Sequence, residues 1–217
     1  MVTISKMHQS IVADWCILHL NEQKFCGSYG MKDQLALIMA LPSESKGLFE
    51  QAGIKVHYSG IGKVNAAFKA FEVIQQTGCK VLLNLGTAGS SHFNAHELVE
   101  VVQFVQRDMD VSPLGFEVGV TPMDQDYPAE IEFERYFEQL TQGVCGTGDS
   151  FETGLSKVSC NLVDMEGYAL AKVCKKLGVR LISVKYITDG AGDTAHLEWE
   201  ENLLLGAQKL LELYESI

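Results

Sequence analysis

Proline is scarce in this chain: there are four in 217 residues, and Pro113, Pro122 and Pro128 all fall in one stretch. Outside that stretch little interrupts regular structure. The six cysteines (Cys16, Cys26, Cys79, Cys145, Cys160, Cys174) include no C-x-x-C pair. That excludes the common zinc-ribbon and thioredoxin-type patterns. Most sit in apolar settings such as Val173-Cys174, so reduced thiols in a cytoplasmic protein are expected. No apolar run approaches the ~18 residues of a membrane span. A basic segment leading into an apolar core is also lacking at the N-terminus, where Asp14 interrupts the one candidate, so no signal peptide is expected. Basic residues are few, 17 Lys and Arg against 28 Asp and Glu, giving a net charge of −11. Such a chain repels phosphate backbones and anionic lipid, so neither nucleic acid nor a membrane is an expected partner. What is present is apolar: 47% of residues, enough at this length to fill one sizeable core.

The order of apolar runs predicts an α/β fold, a single-domain three-layer sandwich with a mixed, mostly parallel central sheet flanked by helices. Strands are expected at 32–40, 54–57, 81–85, 98–105, 161–164 and 180–187, with 143–148 as strand or turn. Helices are expected from Ser43, a plausible N-cap, through Glu50; over 63–76, with a face of Val64, Ala67, Phe71 and Ile74; over 132–140; over 168–177; and over 197–214, with a stripe of Leu203, Leu204, Ala207, Leu210 and Leu211. Gly86 to Ser91 reads as a tight loop. The stretch 108–130 reads as a long loop, and loops of that length tend to be functional. Residues 1–30 fit both a helical face (Ile11, Val12, Trp15, Leu18) and a strand alternation (Trp15, Ile17), and stand apart from the core of 31–217.

Several motifs carry little. Gly60-Ile61-Gly62-Lys63-Val64-Asn65 is G-x-G-x-x-N rather than the dinucleotide fingerprint, and Lys63 meets no Walker pattern; a turn opening a helix explains it. Gly148-Asp149-Ser150 resembles a serine-nucleophile motif, but nothing in the spacing ties a histidine base such as His196 to Ser150. His92 and His96 have helical spacing without the H-E-x-x-H order, so solvated histidines are expected and no metal or cofactor is implied. More informative are the polar residues at the carboxyl ends of apolar strands, where open α/β sheets bind ligands. They are Glu44, Thr87, Glu166 and Asp189, with Met165 beside Glu166 in Val163-Asp164-Met165-Glu166-Gly167. Taken singly, each has a plain alternative. Glu44 can serve a helix dipole, Asp164 and Glu166 can be ordinary strand-end residues, and Asp189 before Gly190 can be turn chemistry.

Taken jointly, six segments resemble the 5′-methylthioadenosine/S-adenosylhomocysteine nucleosidases of the nucleoside phosphorylase superfamily. They are ALPSE (40–44), SGIGKVNAA (59–67), NLGTAGS (84–90), GTGDSF (146–151), VDMEGYALAKVC (163–174) and TDGAGDTAHL (188–197). The resemblance runs from about Leu35 to the C-terminus. It implies hydrolysis of the N-glycosidic bond of a purine nucleoside, with adenine released and no cofactor. It also implies roles. Glu44 would activate the attacking water; Met165 and Glu166 would line the ribose, the carboxylate accepting from its hydroxyls; Asp189 would donate a proton to purine N7. Phe151, next to Ser150, would stack on the base. Thr87, in the loop with Ala88 and Gly89, would lie near sugar and water. Leu114 and Pro122 fall where the family's partner subunit closes the 5′ pocket, which implies a homodimer.

The chemistry is coherent. The sugar becomes positive in the transition state and a carboxylate at its hydroxyls offsets that charge, while an acid at N7 neutralises the departing purine. Phosphorylases of the superfamily grip phosphate with arginines, one of them just before the G-[ST]-x-G loop. Asn84-Leu85 occupies that place in this chain, and the 41–46 loop carries an acid. Water is therefore the favoured nucleophile, with a phosphorylase and a non-catalytic nucleoside binder as the alternatives. The departures are Lys185, which the resemblance counts among the substrate-binding residues but where the family typically has Arg, Leu114 in place of a common aromatic, and shorter chain between Phe49 and Tyr58 and between Phe151 and Val163. The segment 1–30 is a candidate replacement for the hairpin missing after Phe49.

Overall fold

The computed structural model describes residues 31–127, 129–150, 156–189 and 195–217, apart from the side chains of 189 and 195–201. The chain divides after Gly30, and residues 31–217 form one compact unit. The segment 1–30, and with it the candidate hairpin replacement, lies outside the described residues.

The strands are β1 (Leu35–Met39), β2 (Val56–Tyr58), β3 (Val81–Gly89), β4 (Leu98–Gln106), β5 (Glu130–Glu132), β6 (Thr141–Thr147), β7 (Leu162–Asp164) and β8 (Arg180–Asp189). The helices are α1 (Pro42–Ser45), α2 (Leu48–Gln51), α3 (Lys63–Thr77), α4 (Gly167–Leu177) and α5 (Ala195–Glu215). Among the described residues the strands make one mixed sheet in the order β2-β1-β3-β7-β6-β4-β5, with β8 bridging β3 and β4. Five of its eight pairings are parallel.

Both faces of this sheet are covered, which is why its strands read as continuous apolar runs rather than alternating ones. On one face Ala36, Ile38, Leu82 and Leu181 pack with Ala66, Ala70 and Val73 of α3 and Ala169, Leu170 and Cys174 of α4. On the other, Leu37, Met39, Leu83, Ile182 and Val184 pack with Phe49 of α2 and Leu210 and Leu213 of α5. Successive side chains of β1 thus enter opposite layers, as pleat geometry requires.

Four expectations are corrected. The first helix is two short ones, because Lys46 (φ 50°) and Gly47 (φ 72°) take the left-handed conformation; its N-cap is Leu41, with Pro42 after it and Ser43 inside. The strand expected to end at Leu85 runs on to Gly89, since parallel pairing with β8 continues past the glycines. Residues 132–140 are not helical: Glu130–Glu132 is an edge strand, and the buried Glu100 carboxylate accepts from the amides of Tyr136 (2.7 Å) and Phe137 (2.9 Å), satisfying that backbone without a helix. Finally, α3 turns its small residues inward, and Val64, Phe68 and Phe71 face out at 80%, 70% and 50% exposure.

Candidate active site

The sheet brings the predicted strand ends together. Glu44 follows β1 and sits at the third position of α1, buried. Its Oε2 accepts from the amides of Ala40 (3.0 Å) and Leu41 (3.1 Å), so it does serve the helix start. Its Oε1 accepts from the Thr87 amide (2.9 Å) and hydroxyl (2.8 Å) on the neighbouring β3. Four donors on one carboxylate are the environment of an anion. Gly86 makes the approach possible: a Cβ there would lie 3.2 Å from Glu44 Oε1 and 3.5 Å from Lys185 Nζ.

Glu166 stands between β7 and α4, buried, and its Oε1 accepts from the Gly62 amide (2.9 Å) at the start of α3. Gly62 has φ 95°, a backbone conformation that glycine enters without strain. Burial first, then the nearby Asp164 and Glu44 carboxylates, raise the Glu166 pKa to about 7, against Lys185 and the Gly62 amide. The Glu44 carboxylate is thus near enough to Glu166 to disfavour its charge. Met165, beside Glu166, is half-buried.

Asp189 ends β8, where its backbone is in register with Gly89 of β3, the residue that also pairs with Val163 of β7. The sheet thus carries the Asp189 backbone to the strand ends that hold Ala88, Gly89 and the 163–166 segment. The Asp189 side chain and Phe151 lie outside the described residues. So does the side chain of His196. Ser150 is exposed, and its Oγ receives the Arg107 guanidinium (3.2 Å), a group that cannot act as a base. His96 Nδ1 lies 2.6 Å from the Tyr186 hydroxyl, an assignment its loop spacing did not suggest.

Leu114 (73% exposed) and Pro122 lie on the long loop after β4, well covered by neither core layer. That loop is fastened by lysines. Lys63 pairs with Asp108, Lys157 with Asp110 (3.0 Å), Lys172 with Asp124 and Lys176 with Asp126.

Three residues of the site were not singled out from sequence as functional. Asp164 is no ordinary strand end. It is buried and accepts from Thr147 Oγ1 (2.6 Å), the Gly167 amide (2.9 Å) and Lys185 Nζ (2.8 Å). Burial opposes its charge, but Lys185 and these donors overcome burial and lower its pKa. Thr147 completes the link by accepting from the Tyr168 amide (2.8 Å). Arg107, at the end of β4, directs its guanidinium to the Gly148 and Ser150 carbonyls and holds the turn that leads to 151. The signal for the ion pair was present in the sequence. A lone lysine inside the apolar run Ser183-Val184-Lys185-Tyr186-Ile187 must find a buried counter-charge.

Comparison with known proteins identifies the family and the fold. The sequence model of the phosphorylase superfamily matches residues 46–217. A 5′-methylthioadenosine/S-adenosylhomocysteine nucleosidase of Marinomonas sp. is 31% identical over 182 residues, covering 75% of this chain and 79% of that protein. An aminodeoxyfutalosine nucleosidase of Helicobacter pylori is 28% identical, covering 79% and 82%. The crystal structure of the Helicobacter pylori 5′-methylthioadenosine/S-adenosylhomocysteine nucleosidase with butyl-thio-DADMe-Immucillin-A superimposes with a TM-score of 0.75 at 24% identity, covering 84% of this chain and 98% of that one, and so shares the fold. The chain belongs to the 5′-methylthioadenosine/S-adenosylhomocysteine nucleosidase family of the phosphorylase superfamily.

Proposed function

We propose that this protein hydrolyses the N-glycosidic bond of a purine nucleoside of the 5′-methylthioadenosine or S-adenosylhomocysteine kind and releases adenine. The observation that carries the reading is the Glu44 carboxylate seated on the amide and hydroxyl of Thr87, near enough to the buried Glu166 to act on its charge. The two Thr87 donors that an incoming phosphate would need are already bonded to an anion. Asn84, at the place of the phosphorylase arginine, accepts from Ser183 Oγ (2.8 Å) and donates to the Ile38 carbonyl. Both arrangements favour water as the nucleophile.

In this reading Glu44 accepts a proton from the attacking water, which Thr87 helps to place. Glu166, with Met165 alongside, accepts from the 2′- and 3′-hydroxyls and offsets the positive charge that grows on the sugar. Asp189 gives its proton to N7 of the leaving adenine, and Phe151 stacks on the base. Ala88, Gly89 and Ser150 line the remainder of the pocket. Release of adenine from 5′-methylthioadenosine at a rate independent of phosphate is the expected result. A rate that rises in proportion to phosphate would make the protein a phosphorylase, and tight adenine binding without turnover would make it a binder. Asp189→Asn should lower kcat by about 10²–10⁴ with the fold intact, the contribution of general acid catalysis. Near-parental turnover would remove Asp189 from the role.

The working unit in this reading is a cytoplasmic homodimer. Ile61, Val64, Phe68 and Phe71 form one exposed apolar stripe along α3, and surfaces of that kind mark contacts between proteins. The stripe starts beside Gly62, which holds Glu166, so a second copy seated on it would reach the site's rim, where Leu114 and Pro122 would close the 5′ end. Phe68→Asp should convert the dimer to monomer in sedimentation equilibrium; a dimer that survives this change must use another face. The free thiols of Cys79, Cys145, Cys160 and Cys174 fit a reducing compartment.

A further inference from the structure

Among the described residues only Lys185 and Arg107 are buried cations, and Arg107 is occupied by backbone at Gly148 and Ser150. Lys185 is 2% exposed, projects from β8, and ends 2.8 Å from Asp164 Oδ2. The position a Gly86 Cβ would take is near both its ammonium and Glu44 Oε1, at 3.5 Å and 3.2 Å. The buried ammonium thus meets Asp164 of β7 directly, acts on the charge of Glu166 two residues further along, and borders with Glu44 of α1 the same space beside Gly86. The other groups facing them are the Ala40, Leu41, Gly62, Thr87 and Gly167 amides, the Thr87 and Thr147 hydroxyls and the Cys145 thiol. Lys63, at the start of α3, is committed to Asp108 and Asp149.

We propose that Lys185 is a positioning residue for the sugar-binding carboxylate: locked on Asp164 behind the site, it supplies the charge that lets Glu166 stand beside two other carboxylates, without itself touching the nucleoside. This rests on the hydrolase reading above, and it moves Lys185 from the substrate-contacting set suggested by resemblance. With a negligible exposed surface and its ammonium turned to Asp164, it presents no open face to a sugar hydroxyl. What it offers is field. A charge a few ångströms away through a water-poor interior acts strongly on its neighbours. Burial and Asp164 both press Glu166 toward its protonated form, and Lys185 opposes them. A protonated Glu166 would present a weaker acceptor to the sugar and no charge to the transition state. Asp164 has the complementary duty of keeping a buried ammonium charged, and burial of Lys185 is indeed overcome, chiefly by Asp164. Glycine at 86 and the short side chain of Asp164 leave room for the compact ammonium of lysine.

The sign of the effect is the test. Two readouts are taken on the full-length protein. One is the acid limb of the kcat/KM profile for adenine release from 5′-methylthioadenosine. The other is the ¹³C titration of the Glu166 carboxyl, assigned by its loss in Glu166→Gln, which needs no turnover. Lys185→Met should move both upward by about one pH unit or more. Asp164→Asn should move both downward, the double variant should fall between the two, and Lys185→Arg should restore the parental midpoint. Should Lys185→Met fail to fold, Asp164→Asn and the double variant still carry the sign. A Glu166 midpoint that stays in place in all variants, or a loss of activity by the same factor at every pH, would overturn the proposal. Failure of the hydrolase reading looks different: the parental protein would release no adenine, while the carboxyl titration would still answer for Lys185.

Discussion

Glu166→Gln is expected to lose turnover by about 10²-fold or more and yet to melt at a higher temperature than the parental protein at pH 8. The reason is the position of its titration. Burial, followed by Asp164, raises the Glu166 carboxyl from 4.5 to about 7. The native state then holds this proton more tightly than the unfolded chain does. Stability from this group is intact below the unfolded value, falls as pH rises from there to about 7, and stays low above it. At ~1.4 kcal/mol per pH unit the loss amounts to about 3 kcal/mol. A glutamine cannot ionise, and its carbonyl can still accept from the Gly62 amide. The gain should appear at pH 8 as a rise of about 5–10 °C in Tm and should nearly vanish at pH 4.5. Thermal unfolding at the two pH values measures it; an equal change at both, or a fall at pH 8, would contradict an origin in the Glu166 titration.

Glu44→Gln should move stability the other way. Its carboxylate receives four donors, two amides at the start of α1 and the amide and hydroxyl of Thr87. An amide group has a single oxygen, so its NH₂ end must face two of those donors. A buried donor left without an acceptor costs about 1–3 kcal/mol. The variant should therefore melt several degrees below the parental protein, and it should lose turnover by about 10²–10⁴ as the acceptor for the water's proton disappears. Two isosteric changes of two carboxylates in one chamber are thus expected to share the sign of their effect on rate and to differ in the sign of their effect on Tm. A Glu44→Gln protein as stable as the parent would mean that the four bonds are not formed by an anion.

The layers and most strands were legible because the signals there are long and local. Val81-Leu82-Leu83 and Leu181-Ile182-Ser183-Val184 can only be strands covered on both faces. The convergence of Glu44, Thr87 and Glu166 was legible from their places at strand ends, since the sheet gathers such ends at one edge. What escaped reading depends on partners far along the chain. Residues 132–140 look helical until the Glu100 carboxylate, from another strand, takes the Tyr136 and Phe137 amides. The outward face of α3 escapes because Val64 and Phe71 share a helical spacing with Ile74, and period alone does not say which apolar side meets the sheet. Asp164 looks ordinary because its partner is Lys185, distant in sequence and adjacent only once β7 and β8 have joined the same sheet.

One residue in the middle of β3 shapes the chemistry by its size alone. The space a side chain at 86 would take borders both the Glu44 carboxylate and the Lys185 ammonium. The smallest side chain placed there would press on Glu44 Oε1 at 3.2 Å, so the carboxylate must give by a few tenths of an ångström where it meets Thr87. The strand can therefore keep every backbone bond to β8 while a single methyl group shifts the carboxylate beside it.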